Sequence, residues 1–202
     1  RSVRECYIAG QQQERNAMTT ILGLSGSLRR ASFNASLLRA ASGLMPEGVA
    51  LQMGSIADVP LYNADDEAAS GIPEPVARLK DMLMQADGLL VVTPEYNNSL
   101  PGVFKNAIDW MTRPADDIAQ VWGGKPVAVI GASPGGFGTI LAQNAWLPVF
   151  RTLGTRPWFG GRVMVSRAHT LMDADHELEN EETRKQLANF LAGFVGFVRE
   201  GG

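Results

Sequence analysis

The chain has 202 residues, of which 45% are hydrophobic and 19% are charged, the size and balance of one compact globular domain with a substantial core. Its formal net charge of -3, with acidic and basic residues spread along the sequence, excludes the basic footprint of a nucleic-acid or anionic-membrane partner. The single cysteine, Cys6, excludes an intramolecular disulfide and a thiolate metal cluster. No apolar run has the length of a membrane span and the leading residues lack the order of a signal peptide, so we expect a cytoplasmic protein.

Residues 1–17 carry no sustained apolar periodicity, and Met18 opens the first clear strand pattern. We therefore interpret Met18 as the native start and expect residues 1–17 to be a disordered or non-native leader. A functional N-terminal arm is the alternative. Residues 18–202 are expected to form a single domain, because no linker, repeat or low-complexity tract interrupts them.

Short apolar runs alternate with longer helical patterns, which is typical of βαβ units and a parallel sheet. The pattern predicts strands at residues 20–24, 49–53, 88–93, 126–131 and 158–165. It predicts helices at residues 32–45, 73–86, 101–111, 138–153 and 179–198, with a long acidic loop at 62–75. The third and fourth strands are apolar without alternation, so we expect an α/β fold with helices on both faces of the sheet. Ligands of such sheets bind beyond the carboxyl ends of the strands, in the loops after strands one, three and four.

The loop after the first strand contains four candidate phosphate-binding residues: Ser27, Arg29, Ser32 and Asn34. A loop of this kind at a helix N-terminus offers unpaired backbone N–H groups, and an arginine adds a charge-assisted contact. It lacks the Gly-Lys-Ser/Thr ending of triphosphate loops and the G-x-G-x-x-G fingerprint, so a terminal monophosphate fits best. The alternative is that Ser32 or Asn34 only caps the helix and that the arginines are solvated.

The loop after the third strand, residues 93–102, reads TPEYNNSLPG. Its proline, asparagine and glycine residues favour a non-repetitive backbone that aims several N–H groups into one place, and Tyr96 adds a flat side chain beside them. These features suit a planar heterocycle with hydrogen-bond acceptors along its edges. The alternative is an ordinary turn with Pro101 as the first residue of a helix.

The loop after the fourth strand, residues 132–138, reads ASPGGFG. Three glycines remove side-chain bulk and allow the backbone to approach a ligand closely, so the loop would close over the far edge of the same ring. A flexible strand-to-helix turn is the alternative for this loop taken alone. The convergence of three such loops at one edge of a parallel sheet favours a binding site.

The segments GSLRRASFN, TPEYNNSLPGVFKNAIDW and the glycine-rich loop with its following LGTRPW closely resemble the NAD(P)H-dependent FMN reductases, a family that includes bacterial quinone and chromate reductases. The resemblance covers residues 20–165 in matching order. It implies a flavodoxin-like three-layer sandwich whose five-stranded parallel sheet has the order 2-1-3-4-5. It also implies bound FMN, NADPH or NADH as the electron donor, and a homodimer or a dimer of dimers.

By the same resemblance, the FMN phosphate would be held by Ser27, Arg29, Ser32 and Asn34. The isoalloxazine ring would be lined by Pro94, Glu95, Tyr96 and Asn97. Its pyrimidine side would be covered by Ser133, Pro134, Gly135 and Gly136. Tyr96 would border the face on which the substrate stacks, which makes it the candidate catalytic residue. No second nucleotide fingerprint is visible, so the nicotinamide and the acceptor are expected to use that face in turn.

The sequence leaves the acceptor open among quinones, azo compounds, chromate and free flavin, and it leaves open the choice between NADH and NADPH. The alternative to a reductase is a flavodoxin-type electron carrier or a flavin-binding regulatory protein. Arg29 and the weak net charge favour the reductase, because flavodoxins are usually more acidic and lack an arginine in this loop. His169 and His176 have no carboxylate or cysteine at ligand spacing, so no metal site is predicted.

Overall fold

The computed structural model describes residues 18–201, so the leader predicted at residues 1–17 lies outside the described residues. Six strands form one sheet: β1 Thr19–Ser25, β2 Val49–Gly54, β3 Gly88–Val92, β4 Pro126–Ala132, β5 Arg156–Pro157 and β6 Met164–Val165. The order is β2-β1-β3-β4-β5, with β6 also paired to β4. All of these pairings are parallel, which confirms the predicted order 2-1-3-4-5.

The described residues form seven α-helices: α1 Phe33–Gly43, α2 Ala64–Ser70, α3 Glu74–Gln85, α4 Gly102–Trp110, α5 Ile118–Trp122, α6 Ile140–Thr152 and α7 Glu181–Glu200. Five of them correspond to the predicted helices. The sequence pattern did not predict α5, which has only five residues, or α2, which lies in the predicted acidic loop and buries none of its residues. Helix α2 is capped at its N-terminus by Asn63, whose side chain accepts a hydrogen bond from the N–H of Asp65. In residues 18–201, no helix is both long enough and apolar enough to cross a bilayer.

Two apolar cores lie on opposite faces of the sheet. Helices α3, α4 and α6 cover one face, and α1 and α7 cover the other. In β3, Leu89 and Val91 belong to the first core, whereas Leu90 and Val92 belong to the second. Burial of each such side chain stabilises the fold by roughly 1.5–3 kcal/mol. Because successive side chains of a strand point to opposite faces, burial on both faces explains the continuous apolar runs in the sequence.

Of the fifth predicted strand, residues 158–165, only the last two residues are strand in the structure, as β6, and β5 lies just before the predicted range. β5 pairs with the beginning of β4 and β6 with its end, and the chain between them does not follow the sheet. In that interval, the ring of Trp158 packs against Phe190 and Phe194 of α7. The backbone turns closely around this ring, since a Cβ on Gly160 would lie 2.7 Å from Nε1 of Trp158. Packing of the half-buried indole against α7 therefore replaces the single strand that the apolar pattern predicted.

Candidate functional site

Three strands end side by side at one edge of the sheet. Ser25 of β1 is in register with Val92 of β3, and Val92 is in register with Ile130 of β4. Beyond the strand ends, the N–H of Gly26 donates to the Val92 carbonyl at 2.9 Å, and the N–H of Thr93 donates to the Ile130 carbonyl at 2.8 Å. The strand order changes direction between β1 and β3, the position where open α/β sheets bind ligands. All three loops predicted to bind a ligand therefore leave the sheet from adjacent positions.

The phosphate loop, residues 26–32, has polar groups without partners in the protein. Arg29 is exposed and forms no ion pair within residues 18–201. The N–H groups of Ser27 and Leu28 have no acceptor in the part of the chain that the structure describes. The hydroxyl of Ser25, just before the loop, is buried and likewise has no partner among the described residues. Unpaired donors at the N-terminal end of α1 are a suitable site for an anion.

Two of the predicted phosphate ligands use their side chains inside the protein. The Oγ of Ser32 accepts a hydrogen bond from the N–H of Ala35 at 3.2 Å and so caps α1. The Nδ2 of Asn34 donates to the carbonyl of Ala132 at 2.9 Å, and its Oδ1 accepts from the N–H of Ala132 at 2.9 Å. Asn34 therefore joins the beginning of α1 to the end of β4. A contact from Asn34 to a phosphate would come from its backbone N–H.

The Tyr96 loop, residues 93–99, turns sharply at two asparagines. Asn97 and Asn98 have φ values of 50° and 61°, in the left-handed region that asparagine tolerates better than most residues. Around them, Tyr96 and Ser99 exchange backbone hydrogen bonds of 3.0 and 3.1 Å. The turn leaves the Tyr96 side chain 43% exposed. The N–H groups of both asparagines have no acceptor within residues 18–201, so the loop presents donors beside an aromatic ring.

The other two predicted residues of this loop are less accessible. Pro94 is buried, and Glu95 is half-buried. The carboxylate of Glu95 accepts hydrogen bonds from two backbone N–H groups of α6. Its Oε2 is therefore already hydrogen bonded within the protein, and a ligand would contact the backbone of Glu95.

The glycine loop, residues 133–138, has an open centre and a constrained end. Ser133 is half-buried, and the centre of the loop is formed by three exposed residues: Pro134, Gly135 and Gly136. A Cβ on Gly136 would meet no atom within 4 Å. By contrast, Gly138 has a φ of 57°, and a Cβ there would lie 2.5 Å from the carbonyl oxygen of Met164. The open centre leaves room for the edge of a planar ligand against the backbone.

Residues 165–168 support the glycine loop and were not among the predicted site residues. The N–H of Ser133 donates to the carbonyl of Val165 at 2.9 Å, and the N–H of Ala168 donates back to the carbonyl of Ser133 at 3.0 Å. The N–H of Arg167 donates to the carbonyl of Gly135 at 2.9 Å. These bonds join backbone groups that almost every residue type carries, so no local sequence signal identifies them.

Helix α4 holds a neighbouring segment, residues 60–67, in place. The Nε1 of Trp110 and the Nδ2 of Asn106 both donate to the carbonyl of Pro60, at 2.9 and 2.8 Å. The N–H of Tyr62 donates to the Oδ1 of Asn106 at 2.9 Å. Both α4 residues belong to the KNAIDW segment that carried part of the family resemblance. Their side chains have a structural role here.

An ion pair joins α2 to the chain just after α4. The Nε of Arg113 donates to both carboxylate oxygens of Glu67, at 3.0 and 2.9 Å, and the Tyr62 hydroxyl donates to Oε2 at 2.9 Å. The hydrogen bond from Arg113 lowers the pKa of the Glu67 carboxyl. The bond to Glu67 in turn raises the pKa of the Tyr62 phenol. Glu67 therefore stays charged to a lower pH than an ordinary glutamate.

Comparisons with known proteins decide the family. The profile of the NADPH-dependent FMN reductases matches residues 19–170. The chain belongs to this family. It is 41% identical over 179 residues to an NAD(P)H-dependent FMN reductase of Pseudomonas aeruginosa, covering 89% of this chain and 95% of that relative. A quinone reductase of Escherichia coli is 44% identical over 184 residues, covering 89% of this chain and 95% of that relative.

A solved structure gives the same result in three dimensions. FerB, a flavoenzyme NAD(P)H:(acceptor) oxidoreductase from Paracoccus denitrificans, matches with a TM-score of 0.81 at 38% identity, over 91% of this chain and 99% of that one. The family and the flavodoxin-like fold implied by the resemblance are therefore confirmed. So are the oxidoreductase class and the use of FMN with NAD(P)H as the donor. Within residues 18–201, no three His, Cys, Asp or Glu side chains are grouped to hold a metal ion.

Proposed function

We propose that the chain is an NAD(P)H-dependent FMN reductase that transfers electrons through bound FMN to a quinone. The main support is the meeting of three loops at the β1/β3 switch point, with unpaired backbone donors and the exposed ring of Tyr96. The choice of a quinone is supported by relatives named for that substrate. One of them, a 2-hydroxy-1,4-benzoquinone reductase of a Burkholderia species, is 40% identical over 175 residues.

The phosphate loop has the groups needed to hold the phosphate of FMN. Arg29 would supply the charge-assisted contact, and the hydroxyl of Ser27 a neutral one. The backbone N–H groups of Ser32 and Asn34 would complete the set, while their side chains keep α1 capped and joined to β4. The buried Ser25 hydroxyl would gain a ligand oxygen as the partner that the described residues do not provide.

The isoalloxazine ring would lie between the Tyr96 loop and the glycine loop. One side would be lined by Pro94, Glu95, Tyr96 and Asn97. The other would be lined by Ser133, Pro134, Gly135 and Gly136. When bound, FMN supplies the hydride and electron-transfer chemistry, so the protein needs no acid–base triad. The N–H groups of Asn97 and Gly136, which have no acceptor among the described residues, would stabilise negative charge on the ring.

The open side of the site suits a flat, weakly polar acceptor. Two aromatic side chains are exposed on the loops that would border it, Tyr96 at 43% and Phe137 at 80%. Aromatic rings stack favourably with planar molecules such as quinones. The sequence contains no second nucleotide-binding motif, so the nicotinamide and the quinone would bind on this face one after the other.

Steady-state turnover tests this function. FMN-loaded protein is supplied with NADPH or NADH and with four acceptors at equal concentrations: a benzoquinone, an azo dye, chromate and free FMN. We expect the highest kcat/KM with the quinone, and no turnover of the quinone, the azo dye or chromate by protein from which FMN has been removed. A higher kcat/KM with another acceptor would reject the quinone, and no oxidation of either nucleotide with any acceptor would reject the reductase.

We also propose that the chain acts in the cytoplasm as a homodimer or a dimer of dimers. The family resemblance supports this assembly. Light scattering in solution should give twice or four times the mass of one chain, and the mass of a single chain would contradict the proposal.

A further inference from the structure

Helix α6, which follows the glycine loop, begins without a capping side chain of its own. Its N-cap residue, Thr139, has a left-handed φ of 67° and makes no side-chain capping bond. The Thr139 hydroxyl instead accepts a hydrogen bond from the Nε2 of Gln143 at 3.2 Å. The first N–H groups of a helix have no acceptor within the helix, so α6 needs one from another part of the molecule.

Glu95 of the Tyr96 loop supplies that acceptor. Its Oε2 accepts from the N–H of Leu141 at 2.9 Å and from the N–H of Ala142 at 3.0 Å. A carboxylate forms charge-assisted bonds here and lies at the positive end of the helix dipole. Glu95 thus caps α6 from a loop 46 residues earlier in the chain.

A second bond ties the same loop to α6 on the other side of Pro94. The Nε1 of Trp146 donates to the Oγ1 of Thr93 at 3.0 Å, and both residues are fully buried. The Thr93 hydroxyl donates onward to the carbonyl of Pro94 at 2.8 Å. The residues before and after Pro94 are therefore both fixed to one helix, immediately before Tyr96. Because that helix directly continues the glycine loop, it sets the relative position of the two loops.

We propose that Glu95 is a positioning residue for the reductase: its carboxylate fixes the Tyr96 loop to the beginning of α6, so that the two loops keep one relative geometry. Glu95 has this role in catalysis only if the proposed reductase function holds. The role differs from a direct contact between the Glu95 side chain and the ring. A loop that is already in place binds a planar substrate without reorganising, so release of the loop should act mainly on the KM for the quinone.

Three variants test this role. Glu95→Ala removes both hydrogen bonds, whereas Glu95→Gln keeps a neutral oxygen acceptor of the same reach. Asn180→Ala is the matched control, because the Oδ1 of Asn180 caps α7 by accepting from the N–H of Thr183 at 2.9 Å. We expect Glu95→Ala to lower kcat/KM for the quinone roughly five- to tenfold, mainly by raising KM. A change of this size corresponds to the free energy lost with a helix cap. Glu95→Gln should recover most of this loss, and Asn180→Ala should lower Tm without changing KM.

Hydrogen exchange in FMN-free protein gives a readout that does not depend on activity. Glu95→Ala should speed amide exchange both at residues 141–142 and at Tyr96 and Ser99, whose N–H groups are hydrogen bonded in the loop. Faster exchange confined to α6 would overturn the coupling of the loops. An unchanged KM for the quinone together with a lower Tm would show that Glu95 only caps α6 and would overturn its role in catalysis. Equal loss of activity in both Glu95 variants with unchanged exchange would indicate a direct ligand contact and also overturn the proposal. If the wild-type protein reduces no quinone, the proposed function fails, whereas the exchange result still decides whether the loops are coupled.

Discussion

Tyr96 is the side chain on which the substrate face of the site most depends, because it is exposed while its loop is held by α6. We predict that Tyr96→Ala lowers kcat/KM for a quinone by about tenfold, the upper range for loss of an aromatic stacking partner. FMN affinity should fall much less, since the backbone donors of the loop remain. Quinone kinetics and FMN fluorescence titration measure the two effects, and Tyr96→Phe, which keeps the ring, is the control. Equal losses of turnover and FMN affinity would contradict a role at the substrate face.

Arg29 is one of two exposed arginines in the phosphate loop and the one predicted to contact the phosphate. A flavin without a phosphate isolates its contribution. Arg29→Ala should weaken FMN binding by about tenfold or more, as expected for loss of a hydrogen bond between charged groups. Binding of riboflavin, which has no phosphate, should be unchanged. Arg30→Ala is the matched control, because Arg30 is also exposed and adjacent in sequence. If Arg29→Ala weakens both flavins equally, Arg29 does not act through the phosphate.

Residue type indicated where a ligand would be recognised but not which atoms are free to recognise it. Asn34 is predicted as a phosphate contact for its polar side chain, whereas Glu95 is placed beside the ring by the family resemblance. In the structure both side chains bond within the protein, Asn34 to Ala132 and Glu95 to the start of α6. Both bonds connect positions far apart in the chain, so their partners become visible only in three dimensions. The loop residues with exposed backbone, such as Gly136, follow more directly from the sequence.

At the scale of elements, the Glu67 ion pair ties α2 to the end of α4 and gives stability a predictable pH dependence. The pKa of Glu67 is lowered in the fold from its ordinary value of 4.5, so its contribution is present above that value and is lost as pH falls through the lowered pKa. We predict that Glu67→Gln is less stable than the wild type at neutral pH and that the difference shrinks in acid.

Urea unfolding from about pH 7 to about pH 3 measures this difference. Glu74→Gln is the control, because within residues 18–201 Glu74 pairs only with Arg78 of its own helix, on an exposed surface. It should change the free energy of unfolding little at any pH in this range. A Glu67→Gln effect that stays constant across the range would show that the ionised carboxylate is not the cause.

The elements that the sequence predicts correctly are strands buried on both faces and helices buried along one stripe. β3 and β4 are continuous apolar runs, and α1, α3, α4, α6 and α7 carry apolar periods long enough to recognise. The last predicted strand is wrong over most of its length, because the path of the chain between β5 and β6 depends on Trp158 packing against a helix some thirty residues later. α2 is missed for the opposite reason: none of its residues is buried, so it has no apolar stripe.

At the scale of the whole molecule, the strand order places the three loops together. The succession of strand and helix predicts a parallel α/β sheet, but the order 2-1-3-4-5 came from the family resemblance and is confirmed by the structure. That order brings the ends of β1, β3 and β4 to one edge, although consecutive loops are about thirty to sixty residues apart and the first and third about one hundred. The site is therefore a property of the topology, and no single segment contains it.

The central claim is that the bound flavin accepts electrons from a nicotinamide nucleotide and passes them to a quinone. The most direct test is to load the protein with FMN, remove the excess, exclude oxygen, and follow the visible absorbance of the oxidised flavin in a stopped-flow instrument. We predict rapid loss of this absorbance on addition of NADPH or NADH and its full return on addition of a benzoquinone. If FMN stays bound but neither nucleotide bleaches it, or if the quinone does not restore the absorbance, the chain is not the quinone reductase proposed here.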